Sequence, residues 1–153
     1  MPGGRAAAVL AGRLSVGPLA LAGFFLPWAH GPGALAATRF SGFTLVGFVG
    51  RLRALDLAPG EEAALWIVRV LILGVAVAGV WQAVLAPFAR WHAGYRISGW
   101  YVSAFAAVAA AVGLARAGIT LPPAGLALVV LSGAVFAACE GVDLWEGRRA
   151  TGR

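Results

Sequence analysis

Residues 63–86 form one apolar run broken by a single charge, Arg69, and a run of that length admits few folds. As helix it can cross the roughly 30 Å hydrocarbon core of a bilayer. Water-soluble domains interrupt their apolar runs every few residues and carry about twice the charged fraction of this chain, 12%. With 61% hydrophobic residues and a mean hydropathy of +0.86, the chain reads as an integral membrane protein. At 153 residues there is room for one domain.

Three more runs have spanning length, giving expected spans at residues 8–29, 63–86, 99–117 and 124–144. The first reaches full length only if residues 9–12 are included, which leaves Arg13 inside the span to snorkel toward the cytoplasmic headgroups. Pro18 should kink this helix, and Pro27 and Trp28 should close it at the outer interface. A cleaved signal peptide is the competing reading, with Ala34-Leu35-Ala36 as the cleavage site; three spans would then remain. After the turn at Gly31-Pro32-Gly33, residues 42–55 place Phe48, Val49, Leu52 and Leu55 at helical spacing but are too short to span. They read as an amphipathic interfacial or re-entrant segment, or as a lid over the other helices. Glu61 and Glu62 suit the first turn of the second span, and residues 88–98, with Tyr95 and Arg96, read as a cytoplasmic loop.

The net charge of +6 could suggest nucleic acid, but the arginines lie in short loops and tails, where the positive-inside bias accounts for them. Nucleic acid is therefore excluded as an expected partner. Arg5, Arg13, Arg90, Arg96, Arg148, Arg149 and Arg153 fall on one side and Arg39, Arg51, Arg53 and Arg116 on the other, which predicts both termini in the cytoplasm. All twelve basic residues are arginine and alanine and glycine abound, a pattern of GC-rich bacterial genomes, so the expected location is a bacterial inner membrane. The single cysteine, Cys139, leaves no intramolecular disulfide.

Lipid removes the hydrophobic drive between helices, so small residues should form the contacts. Stripes one turn apart occur at Ser103, Ala107, Ala111 and Ala115, at Gly133, Ala137 and Gly141, and at Gly74 with Ala78.

Three polar residues in or near the membrane are candidates for function. Arg69 lies about 10 Å into the second span, where an arginine costs on the order of 2.5–3.5 kcal/mol. Snorkelling and pairing with Glu62 would explain it; the functional reading has it face a cavity beneath the interfacial segment and bind an anionic headgroup or a quinone-like carbonyl. Glu140 and Asp143 share one face of the fourth span and read as a proton or cation site, or as partners of Arg13 or Arg90. His30 and His92 fall at opposite ends of the spans, so no shared haem or metal is expected. The mid-span carboxylate of small multidrug exporters, the paired cysteines of disulfide-relay proteins, phosphate loops and nucleophile elbows are all missing. No cofactor and no catalytic residue is expected.

The pattern Phe25-Leu26-Pro27-Trp28, a glycine-containing loop, then Ser41-Gly42-Phe43-Thr44-Leu45 resembles one in small uncharacterised bacterial four-span membrane proteins. The resemblance implies four spans with an outer loop after the first, and brings no activity. The expected fold is thus an all-α membrane four-helix bundle. Its expected role is a non-enzymatic accessory or scaffold subunit of a membrane complex, partnered by lipid and by other subunits or its own copies; the alternative is a small homo-oligomeric transporter or channel.

Overall fold

The computed structural model describes residues 3–30, 38–54, 60–88, 93–117 and 124–151. The chain is mostly helical: α1 (Gly3–Phe25), a hairpin of β1 (Pro27–His30) and β2 (Arg39–Ser41), α2 (Gly42–Ala54), α3 (Glu62–Leu85) with a 3-10 turn (Ala86–Phe88), α4 (Ala93–Ala117) and α5 (Ala124–Thr151). Three helical segments, Ala6–Phe25, Glu62–Phe88 and Ala124–Glu146, are long and apolar enough to cross a membrane.

Local chemistry explains the boundaries. α1 stays helical through Pro18 and ends two residues before Pro27, since the residue preceding a proline is pushed toward extended backbone. Ser41 caps α2 reciprocally with Thr44: Thr44 N–H donates to Ser41 Oγ at 3.2 Å, and Ser41 N–H donates to Thr44 Oγ1 at 2.7 Å. Pro87 cannot continue α3, and the chain tightens into the 3-10 turn there.

α1 packs against α3 and α5, and α4 packs against the same two helices. Their core is built from Val16, Ala20 and Phe24 of α1, Val75 of α3, Val102 of α4 and Val129 of α5. Neighbouring helices run antiparallel and are pinned by hydrogen bonds or close approach. Ser132 Oγ donates to the Val16 carbonyl at 2.8 Å, Ser103 Oγ to the Gly133 carbonyl at 3.1 Å, and Tyr101 Oη to the Leu71 carbonyl at 2.6 Å. α1 and α3 approach so closely at Gly17 that a Cβ there would meet Ala83 Cα at 2.7 Å. α2 lies along α3 and touches α1.

Several sequence expectations change here. Trp28 points into the protein: it is buried, donates its indole N–H to the Gly23 carbonyl at 2.6 Å, and meets Phe105 at a ring separation of 5.6 Å. The strand geometry of β1 turns it inward, and Gly42 leaves room for it, since a Cβ there would lie 2.9 Å from Trp28 Cζ2. Tyr95 and Arg96, expected in a loop, belong to the first turn of α4, and Tyr95 is buried. The small-residue stripes hold at Gly74, Ala78, Ser103 and Gly133 but not beyond: Ala107, Ala111, Ala137 and Gly141 are exposed. A strict four-residue step advances 400° and drifts about 40° per turn; the buried line of α4 runs instead through Tyr95, Ser98, Val102 and Ala106, where one step of three precedes two of four. On α2 the packed residues are Leu45, Val46 and Val49, while Phe48 is exposed. Leu55, the 31–37 turn with its cleavage motif, Asp56, Arg90 and His92 lie outside the described residues, and the Leu52 side chain is not described.

Candidate functional site

The two carboxylates singled out on α5 stand where α1, α4 and α5 meet. Their spacing of three residues puts them on one face, and α5 delivers each to a different arginine. Asp143 Oδ2 accepts a hydrogen bond from Arg13 Nη2, and Glu140 Oε2 accepts one from Arg96 Nε at 3.1 Å. Arg13 is therefore not snorkelling to headgroups: its side chain is only 6% exposed and is spent on Asp143, itself 25% exposed. A partner within the chain displaces the lipid one because a cation enclosed by protein must be neutralised there. Arg96 covers Glu140 from outside, being 56% exposed against 7% for the carboxylate.

Around these pairs lie groups that sequence reasoning did not single out as a site. Tyr95 is buried, its hydroxyl has no hydrogen-bond partner among the described residues, and it feels the charges of Arg13, Glu140 and Asp143. Gln82 of α3 donates from Nε2 to Ser98 Oγ at 2.8 Å and to the Tyr95 carbonyl, while its Oε1 has no partner among the described residues. Arg13 Nε is buried and likewise has no partner among the described residues. The available signal was the helical spacing of Tyr95 and Ser98, which the basic and aromatic residues before them masked. Cys139 directs its thiol at the Val9 carbonyl, 3.8 Å away, and not at either carboxylate.

Chemically, the cluster is two cations and two anions that cancel. Guanidinium-held carboxylates are hydrogen-bond acceptors rather than free bases. Among the described residues no three His, Cys, Asp or Glu side chains converge as a metal site. His30 lies in β1, far along the fold from the start of α4.

Arg69 is in a different place. It projects from the exposed side of α3 against α2, beside Val49, Gly50, Leu65 and Trp66. The expected ion pair with Glu62 does not form, and no hydrogen bond or ion pair to Arg69 exists among the described residues. Its guanidinium instead lies over Gly50, so α2 draws it away from the α3 surface where Glu62 sits. Arg69 is thus separate from the cluster of Glu140 and Asp143.

No protein-family model, curated protein or solved structure matches the chain.

Proposed function

We propose that the chain is a four-span protein of a bacterial inner membrane, with both termini cytoplasmic, that acts as a non-enzymatic accessory or scaffold subunit of a membrane complex. α4 supplies the fourth crossing. It lies antiparallel between α3 and α5, with Tyr95 and Ser98 level with Gln82, Tyr101 level with Leu71, and Ser103 level with Gly133. A helix flanked at those depths by two crossing helices shares their depth.

The observation that carries the subunit reading is the contrast between interior and surface. Inside, both candidate carboxylates are neutralised by arginines of the same chain, which leaves neither as a free acid on a transport path. Outside, α3 presents Trp66, Val70, Leu73, Val77, Val80 and Val84 along its whole length. Such a face is satisfied by lipid tails or by helices of another subunit, which pack with equal ease against it.

The test is the mass and composition of the particle after extraction from native membranes into lipid nanodiscs. The proposal expects larger proteins at fixed stoichiometry. A particle containing only copies of this chain would overturn it in favour of a homo-oligomeric transporter, whose flux should then depend on Glu140 and Arg96.

A further inference from the structure

We infer that Arg69, seated on Gly50, forms a binding site for the phosphate of an anionic phospholipid in the leaflet at the hairpin end of the molecule. Three atoms of the guanidinium, Nη1, Cζ and Nη2, lie 3.2, 3.3 and 3.5 Å from the position a Gly50 Cβ would occupy. Near-equal distances mean that the guanidinium turns its flat face to the α2 backbone. Its N–H donors lie in its own plane, so they point along the groove between α2 and α3 and not into the protein.

Those donors find no acceptor among the described residues. The residues around them are apolar: Val49 and Leu65 line the cleft, and Trp66 stands exposed beside it. An arginine held flat, unpaired, on the lipid-facing side of a spanning helix matches a planar, bidentate acceptor such as phosphate. Depth agrees, because helical side chains tilt toward the helix N-terminus and the long arginine stem carries the fork further toward headgroup level. Glycine at position 50 lets the guanidinium lie this close to α2; a Cβ alone would ask it to give by a few tenths of an ångström, and a branched side chain such as leucine would fill the seat.

The test uses the full chain reconstituted into vesicles of phosphatidylcholine and phosphatidylglycerol in equal amounts, then released into mild detergent for native mass spectrometry of retained lipid. Wild type should retain one phosphatidylglycerol with about tenfold preference, as expected for a charge-assisted hydrogen-bonded pair. Arg69→Gln and Gly50→Leu should both fall to parity, while Arg39→Gln, on exposed β2, should keep the preference. Should Gly50→Leu fail to fold, the exposed Arg69→Gln substitution decides alone. Parity in wild type, or an undiminished preference in Arg69→Gln, would overturn the site. Displacement of the lipid by inorganic phosphate added to the detergent would also overturn it, by assigning the site to a soluble anion.

Discussion

Arg13 and Tyr95 show how differently two buried polar side chains can be accommodated within one cluster. Arg13 is compensated by Asp143, and removing one partner of an enclosed pair leaves the other charge stranded. Arg13→Leu should therefore lower stability by roughly 3 kcal/mol, at the low end for such pairs because Asp143 keeps some contact with solvent at 25% exposure. The double variant Arg13→Leu/Asp143→Leu should recover most of that loss, measured by thermal unfolding in detergent; a double variant as unstable as the single would refute the pairing account. The Tyr95 hydroxyl has no partner among the described residues, so Tyr95→Phe removes a desolvated group without breaking a hydrogen bond there. Its melting temperature should be unchanged or higher. A clear drop would mean that the hydroxyl holds a bound water or ligand.

At the scale of elements, the hairpin acts as a plug on one end of the helices. Trp28 is wedged among Phe24, Phe105 and the start of α5, where a Cβ on Gly125 would meet Trp28 Cδ1 at 2.7 Å. Phe25 and Phe43 meet with ring centroids 5.9 Å apart, so the two halves of the Phe-Leu-Pro-Trp and Ser-Gly-Phe pattern meet in space. Trp28→Ala should cost about 3–5 kcal/mol, as for other buried aromatics. Trp81→Ala, on the exposed side of α3, should change stability by no more than about 0.5 kcal/mol, since Trp81 is 51% exposed. Urea or heat titrations of the two variants in the same detergent compare them directly, and equal losses would contradict the plug.

For the whole molecule, parity of crossings is the sharpest issue. Four crossings put both ends of the chain on one side of the membrane; three put them on opposite sides. In a Cys139→Ser background, cysteines introduced as Gly4→Cys and Arg149→Cys should both be shielded from an impermeant maleimide in intact cells and both react in inverted vesicles. Labelling from opposite sides would show that α4 does not cross. α5 bears on the same point: its 28 residues make about 42 Å of helix, more than the hydrocarbon core needs. Its last turns, with Arg148 and Arg149, therefore extend past the apolar segment, where Arg149 stacks on Trp145 at 3.5 Å.

The sequence alone determined the helical content, the approximate limits of the long apolar segments and the short helix after the first loop. Each of these is a local sum of hydropathy, proline position and capping chemistry over consecutive residues. It also singled out Glu140, Asp143 and Arg69 as costly residues, because charge within an apolar run needs no partner to be noticed. Tertiary structure decided the rest: that Arg13 turns to Asp143, 130 positions away, that Arg96 covers Glu140, and that Arg69 leans on Gly50 rather than on Glu62. It likewise turned Trp28 inward and set which turns of α4 and α5 touch. The physical reason is common to all of these. Hydrophobic length commits a segment to a helix, but its rotation about the axis is set only by the neighbours it packs against.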